Sequence, residues 1–438
     1  MTILIILICS IPGFLLGRII FKYFFNPITV YTLIWTSMLS FYSLKLISYD
    51  DLKTETWLYI AGAYFALLIG SLTFLEADKL FGRNKSDKTV LNNFHLFDDG
   101  GKVLKIAIFV FSVIGFISAL QHWIVLIDKY GSIAGVLLNT AEVYQQRVDG
   151  EIEGVIPYIQ TFNYLAIFLS AILIGYRDKF SFWIFLPFSA LFLKNLAGAG
   201  RASLLLGIVM FIGIFFISKY FFNTCLNRKQ LRIGRNIIIF VVVSAFFIGA
   251  SVYMRAFRST VESIGGTDRA LAGFKENLII SPSIYLYSSA HVVVFDKYLQ
   301  MDSEKSEFLQ YTFQPIYNIL AKFDIVEKTQ FYHDGYYIPV WTNTGTYLRE
   351  MHADYGIWGI ILVPYLLGFF STFLWFRFFS SGKIIYLILY NQIFAIIFFS
   401  FFLSPTRLGD WLISLILLLI CIPLLEKWNI YKANKLIC

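Results

Sequence analysis

Residues 202–219 read ASLLLGIVMFIGIFFISK, a run whose only charged side chain is the terminal Lys219. A helix rises about 1.5 Å per residue, so such a run approaches the roughly 30 Å thickness of bilayer hydrocarbon. The whole chain shares this character, because 58% of its 438 residues are hydrophobic and only 15% are charged, against about 25% charged in soluble proteins. Mean hydropathy is +0.68. The composition excludes an ordinary cytosolic enzyme, a disordered protein and a nucleic-acid binder, and it predicts an all-α polytopic membrane protein.

Eleven apolar runs are long enough to cross or nearly cross the bilayer, and the number of spans is expected to lie between ten and twelve. Their approximate bounds are 2–21, 27–47, 56–75, 103–127, 156–175, 180–197, 202–219, 236–254, 357–376, 384–404 and 411–425. The first is interpreted as a retained helix, because it has no basic leader segment and no small-residue cleavage site. A long loop separates the eighth and ninth runs, so we divide the chain into 1–254, 255–356 and 357–438.

Lysine and arginine residues are unevenly distributed between the two sides of these spans. Twenty lie in the connections on one side, seven lie in the short connections on the other side, and the remaining nine lie in the long loop. Since cytoplasmic connections carry the excess of basic residues and long loops are exempt, the N-terminus is predicted outside and the C-terminus in the cytoplasm. The loop 255–356 is then extracytoplasmic. Its apolar segment 282–295 is too short to span, and it is predicted either to lie on the membrane or to pack under the loop.

Several kinds of site find no support in the sequence. The four cysteines have no spacing typical of a metal site or a disulfide framework, and the connections predicted to be cytoplasmic contain no P-loop. None of the eleven runs has a carboxylate at its centre, as ion-coupled pumps tend to have. We therefore expect no metal, no nucleotide and no other cofactor.

Arginines gather instead at the outer ends of the predicted spans. Arg201 follows the small residues AGAG (197–200), which let backbone approach a ligand closely, and its guanidinium suits a phosphate. Arg255 and Arg258 are three residues apart and would share one helix face. Arg147 and Arg407 lie in two further outer connections. The alternatives are snorkelling for Arg201, contact with lipid headgroups for the pair, and a local salt bridge for Arg407. Lys194, His291 and His333 give weaker indications of a functional site.

The richest segment is 341–359, WTNTGTYLREMHADYGIWG, directly before the ninth run. On a helix, Arg349 and His352 would lie on the same face. Asp354 and His352 are candidate catalytic bases, although Asp354 is also suited to orienting an arginine or binding backbone near a helix end. Glu151 is a third candidate base, in an acidic cluster whose alternative interpretation is a solvated surface.

In this segment the chain resembles the O-antigen polymerase (Wzy-type) and wider oligosaccharide repeat-unit polymerase family. Many members carry Asn-x-x-Thr-x-x-Arg-x-x-x-x-Asp-aromatic-Gly-x-x-Gly before a late span. The matching residues are Asn343, Thr346, Arg349, Asp354, Tyr355, Gly356 and Gly359. Arg201 matches the family's Gly- and Arg-rich entry to a middle span, and Arg255 to Gly266 has an Arg-x10-Gly spacing. His352 departs from the pattern, since an aromatic residue is common there.

The resemblance implies a GT-C-like fold and a metal- and nucleotide-independent glycosyltransferase of the bacterial plasma (inner) membrane. Such an enzyme transfers a growing glycan from undecaprenyl diphosphate to an incoming lipid-linked repeat unit at the outer face. The outer arginines, with Asn343 and Tyr355, would bind substrate and stabilise the departing diphosphate. The implied partners are the lipid-linked oligosaccharides, membrane lipid and a chain-length regulator protein, with no nucleic acid.

Three other functions remain as alternatives. An O-antigen ligase uses the same donor, but ligases usually carry a His-Asn pair before the late span, where this chain has Thr342 and Asn343. A lipid-linked oligosaccharide flippase or other transporter would show charged residues along several spans and an internal repeat. A membrane scaffold would have no reason to gather arginines at separate outer helix ends.

Overall fold

The computed structural model confirms an all-α polytopic architecture. It describes residues 2–81, 88–149, 154–177, 182–198, 200, 202–228, 282–301, 306–327, 329 and 333–437. In chain order the helices of this part are α1 (Thr2–Phe21), α2 (Pro27–Ser43), α3 (Thr54–Phe81), α4 (Lys102–Tyr130), α5 (Ile133–Leu138), α6 (Thr140–Asp149), α7 (Phe162–Arg177), α8 (Phe185–Ala197), α9 (Ala202–Cys225), α10 (Pro282–Met301), α11 (Gln314–Ala321), α12 (Tyr347–Tyr355), α13 (Ile357–Ser381), α14 (Ile384–Phe399) and α15 (Gly409–Ile437). Two short antiparallel strands, β1 (Tyr336–Tyr337) and β2 (Trp341–Thr342), pair before α12.

Seven helices in the described residues are long and apolar enough to cross a membrane. They are Ile3–Phe21, Thr54–Glu76, Lys102–Tyr130, Ile159–Arg177, Ala202–Cys225, Ile357–Ser381 and Gly409–Lys432. Three other predicted runs, 27–47, 180–197 and 384–404, contain the shorter helices α2, α8 and α14. The run 236–254 lies outside the described residues. A multi-pass membrane protein is therefore supported, whereas the number eleven and the orientation stay predictions.

The chain forms two compact units. Unit 1 comprises Met1–Asn84, Gly265–Arg377 and Leu389–Leu412. Unit 2 comprises Lys85–Ile264, Phe378–Ile388 and Ile413–Cys438. The predicted division into 1–254, 255–356 and 357–438 follows the loop, whereas the units combine stretches that are distant in sequence.

Polar residues outside the apolar runs fix where helices begin. In unit 1, Asn26 is extended and its side chain accepts a hydrogen bond from the Thr29 amide at 2.9 Å, while Pro27 occupies the first turn of α2. In unit 2, the Asp99 carboxylate accepts bonds from the amides of Gly101, Lys102 and Val103, at 2.9, 3.0 and 2.7 Å. These amides at the start of α4 would otherwise have no intrahelical partner.

Two glycines let α3 and α13 approach closely in unit 1. A Cβ on Gly70 would lie 2.0 Å from the Tyr365 carbonyl oxygen, and one on Gly368 would lie 2.0 Å from the Leu67 carbonyl oxygen. Across the same contact the Ser71 hydroxyl donates to the Gly368 carbonyl at 3.2 Å. Small residues at membrane helix contacts allow this kind of packing, because lipid supplies no hydrophobic force between helices.

Helix α2 is hydrogen-bonded to elements more than 300 residues away in the sequence. The Trp35 indole donates to the Ser400 hydroxyl at 2.9 Å, after a sequence separation of 365 residues. The Tyr31 and Tyr347 hydroxyls lie 3.1 Å apart, at a separation of 316 residues. All four side chains are buried, so these bonds satisfy polar atoms inside the unit.

The apolar segment 282–295 lies within the buried helix α10, and it packs under the loop as one of its two interpretations predicted. The helix packs against α2 and α3. Tyr285 is fully buried and donates to the Phe41 carbonyl oxygen at 2.7 Å. Near the end of α10, Asp296 accepts bonds from the Lys53 amide at 2.8 Å and the Thr56 hydroxyl at 2.6 Å, which caps the start of α3.

Candidate functional site

The segment 341–359 forms β2, α12 and the first turn of α13 in unit 1. Gly356 has a φ of 61°, in the region that favours glycine, and it turns the chain from α12 into α13. A Cβ on Gly359 would lie 2.1 Å from the Met351 carbonyl oxygen, so α13 starts directly against α12. The tight turn between α12 and α13 therefore requires glycine at both of these motif positions.

Arg349 of the motif is sealed inside unit 1, with 0% of its surface exposed. Its Nη1 donates to the Asn343 carbonyl oxygen at 3.2 Å and its Nη2 donates to the Asp334 carbonyl oxygen at 2.9 Å. The guanidinium lies over the rings of Tyr336 and Tyr298, 5.0 and 5.5 Å from their centroids. These contacts tie the β1–β2 segment to α12. Arg349 reaches a ligand only if they open, so its predicted role in substrate binding stays a prediction.

Glu350 and Arg407 form a buried ion pair in unit 1. Glu350 is 2% exposed, and its Oε1 accepts from Arg407 Nη1 at 2.8 Å. Its Oε2 accepts from the Ser404 amide at 2.6 Å, and His333 Nε2 lies 3.3 Å from Oε1. Burial raises the pKa of Glu350, an effect that the positive charge of Arg407 opposes. Arg407 also donates from Nε to Gln314 Oε1 at 3.0 Å. Its guanidinium is thus bound to two protein side chains, Glu350 and Gln314.

Asp354 binds the loop that precedes α11. Its Oδ1 accepts from the Ser306 hydroxyl at 2.6 Å and the Tyr311 amide at 3.0 Å. Its Oδ2 accepts from the Thr312 amide and hydroxyl, both at 2.7 Å. Burial raises the pKa of Asp354, the direction that suits a base working near neutral pH, while these donors oppose the rise. The structure thus shows the alternative predicted for Asp354, binding of backbone near a helix end, and its catalytic role stays a prediction.

Three other residues of the segment, Asn343, His352 and Tyr355, are half-buried, whereas Thr346 is 1% exposed. His352 Nδ1 lies 2.9 Å from the Tyr298 hydroxyl, so Arg349 and His352 contact the same tyrosine, in accord with a shared helix face. The backbone carbonyl oxygen of Asn343 accepts a hydrogen bond from Arg349. The Tyr355 ring meets the Phe308 ring edge-on, with the centroids 5.3 Å apart.

Unit 2 contains a cavity of about 200 Å³ beside the second half of α4 and the ends of α6 and α8. Its lining is Ser118, His122, Arg147, Val155, Ile156, Pro157, Tyr158, Gln160 and Lys194. Among these described residues the ionisable side chains on the cavity, apart from the tyrosine, are all basic. We call this space the Arg147 cavity. The arginine and the lysine carry positive charge and attract an anion such as a phosphate.

The side chain of Arg147 packs against two of the small residues before Arg201, Gly198 and Gly200. A Cβ on Gly200 would lie 2.2 Å from Arg147 Nη1, and one on Gly198 would lie 3.5 Å from its Cδ. The Gly200 amide donates to the Asn195 carbonyl oxygen at 3.1 Å, which folds this turn over the end of α8. Glycine was predicted here for the approach of a ligand, and in the structure the approaching group is the side chain of Arg147.

Other predicted site residues lie outside the described part of the chain. These are Arg201, Arg255, Arg258 and Glu151. Sequence reasoning gave little weight to Lys194 and none to His122, yet both line the Arg147 cavity. It also missed the joint placement of Glu350 and His333. The one signal that could have found Lys194 is its position, since it lies in the last turn of α8, near the predicted outer end.

Within the described residues, no group of three or more His, Cys, Asp or Glu side chains is placed to hold a metal ion. Comparison with known proteins finds no match to a family model, to a curated protein or to a solved structure.

Proposed function

We propose that this protein is a membrane glycosyltransferase that polymerises lipid-linked oligosaccharide repeat units at the outer face of the bacterial plasma membrane. The observation that carries the proposal is the Arg147 cavity, where Arg147, Lys194 and His122 converge beside helix ends of a multi-pass protein. A lipid diphosphate is a dianionic or more highly charged leaving group at membrane depth, and basic side chains are the protein groups that stabilise it. The motif 343–359, with its resemblance to repeat-unit polymerases, supports the same function.

In the proposed reaction, a hydroxyl of the incoming unit attacks the anomeric carbon that links the growing glycan to its carrier. The bond from that carbon to the diphosphate oxygen breaks, and its electron pair leaves with the diphosphate. Arg147 and Lys194 stabilise this charge, while the hydroxyl proton passes to a general base. The reaction needs no nucleotide, because the cleaved bond supplies the energy.

The finer architecture belongs to the same proposal. We propose eleven spans, a GT-C-like arrangement, an extracytoplasmic N-terminus and a cytoplasmic C-terminus. In that orientation the Arg147 cavity faces outward, where lipid-linked units arrive after export. Arg201, Arg255 and Arg258 would lie on the same side and contribute further positive charge. A chain-length regulator protein is the proposed macromolecular partner.

A deletion strain tests the function directly, with its surface glycan separated by size. Loss of the ladder, with a single repeat unit left on the lipid core, is the result expected of a polymerase. A core without any glycan, and material held on the carrier lipid, would overturn the proposal. The side of the membrane on which that material accumulates would then separate a ligase, which leaves it outside, from a flippase, which leaves it inside.

Complementation with variants tests the cavity. Arg147→Ala and Lys194→Ala should lose the ladder while the protein level stays normal, because removing one donor to a developing negative charge typically costs about 10²–10³ in rate. Lys129→Ala is the matched control, since Lys129 is an exposed basic residue near the same helix ends whose ammonium contacts Gln146 at 2.9 Å. A normal ladder with both cavity variants would show that the Arg147 cavity is not the site that stabilises the diphosphate.

A further inference from the structure

Helix α11 of unit 1 exposes a row of large apolar side chains. Ile316 and Ile319 are 41% and 52% exposed, and Phe323, in the turn after the helix, is 71% exposed. The three residues are spaced three and four apart, so they follow one face. Phe308 and Ile325, 68% and 65% exposed, lie at the two ends of the same segment. A single exposed apolar residue is ordinary, but a group of five in one short segment marks a surface with a partner.

The opposite face of α11 is held inside unit 1. Gln314 begins the helix and is 1% exposed, with its Oε1 accepting from Arg407 Nε at 3.0 Å. The helix packs against the short 3₁₀ turn Pro405–Arg407. The apolar row is therefore the outward face of a helix that is fixed in place.

The two attachments of this segment place it at the ends of candidate membrane spans. Arg407 lies two residues before α15 begins at Gly409. Asp354 lies three residues before α13 begins at Ile357, and it accepts hydrogen bonds from the amides of Tyr311 and Thr312, just ahead of α11. The ion pair between Arg407 and Glu350, at 2.8 Å, joins the two attachments directly, so both lie at the same level of unit 1.

We propose that α11 and its flanking residues lie in the membrane interface, with Ile316, Ile319 and Phe323 among the lipid chains. A short amphipathic helix held at the level where spans enter the bilayer has its apolar face at the boundary between headgroups and acyl chains. The exposed Lys322 at the end of the helix can extend its ammonium to the headgroups. The occupant of this surface is thus the bilayer, and the proposal is independent of the enzymatic function.

Spin-label accessibility tests this placement in the full chain. A version with its four cysteines changed to serine is given one nitroxide at Ile319→Cys or Phe323→Cys, and it is reconstituted into phosphatidylethanolamine and phosphatidylglycerol vesicles. Collision with oxygen, which concentrates in lipid, is compared with collision with a water-soluble nickel chelate. We expect oxygen collisions to dominate at both positions, and more strongly than at Glu327→Cys, the matched control on an exposed acidic residue of the same segment.

Two results would overturn the proposal. Dominance of the nickel chelate at both positions would place the row in water. Protection from both reagents would show that protein covers the row, either another segment, a second copy or a partner. Phe308→Cys provides a further position at the other end of the segment, so that a poorly folded Phe323 variant does not decide the outcome.

Discussion

Replacing Arg407 with methionine should strongly destabilise unit 1. Methionine keeps much of the apolar stem and removes the guanidinium, which leaves the Glu350 carboxylate 2% exposed without its 2.8 Å partner. The Ser404 amide, His333 and the charge of Arg349 remain, but the ion pair with Arg407 is lost. Removing one partner of a buried pair costs about 3–5 kcal/mol, because the other charge stays desolvated. We expect Arg407→Met and Glu350→Gln each to show a loss of this size.

A variant with both substitutions shows whether the two residues stabilise the protein as a coupled pair or independently of each other. Glu350→Gln combined with Arg407→Met leaves no unpaired charge, so its loss should be well below the sum of the single losses. Thermal unfolding of the purified protein in detergent, followed by tryptophan fluorescence, measures all three. Lys45→Met is the control, since Lys45 pairs with Asp51 on the surface, and such exposed pairs contribute about 0–1 kcal/mol. Additive losses, or a loss for Arg407→Met as small as the control, would refute the reasoning.

Three further outcomes follow from single contacts. Arg349→Lys keeps the charge but loses the planar fork, so limited proteolysis should cut faster within 334–343, and wild-type resistance would contradict the described anchoring. Asp354→Asn should destabilise by about 1–3 kcal/mol and expose the 306–312 loop to protease, because one amide oxygen cannot replace two carboxylate oxygens. Gly368→Ala should lower the midpoint of thermal unfolding clearly more than Gly62→Ala, whose Cβ would meet only the flexible end of Ile361 at 3.1 Å; equal shifts would show that α3 and α13 separate easily.

The sequence is a good guide where the determinant is local. Hydropathy located seven candidate spans, because each needs only a continuous apolar run. The segment 347–355 was expected to put Arg349 and His352 on one face, and helix α12 does so because three residues make nearly a full turn. Orientation and the total number of spans depend on loops and segments that the described residues do not test.

The arrangement of the candidate site was hard to predict, because its partners are distant in the sequence. An arginine in a pattern such as 343–359 is equally consistent with a ligand contact and with a buried anchor. Arg349 is a buried anchor because the Asp334 carbonyl and the Tyr298 ring lie against it. Hydropathy contains no information about the positions of these two partners. In the same way, the sequence shows Glu350 only as one of several charged residues in its segment. Its ion-pair partner, Arg407, lies 57 residues later, so the buried pair could not be predicted from the local sequence.

The hydrogen bonds of α2 have a consequence for synthesis of the chain. The Trp35 indole finds the Ser400 hydroxyl only after 365 further residues have been made. At about 5–20 residues per second, this takes roughly 20–70 seconds after α2 has been made. Until then its indole and the Tyr31 hydroxyl must be satisfied elsewhere, by neighbouring early helices, by water or by the insertion machinery. Unit 1 therefore closes around its oldest helices only late in synthesis, and a ribosome that stops before Ser400 leaves α2 with unmatched polar groups.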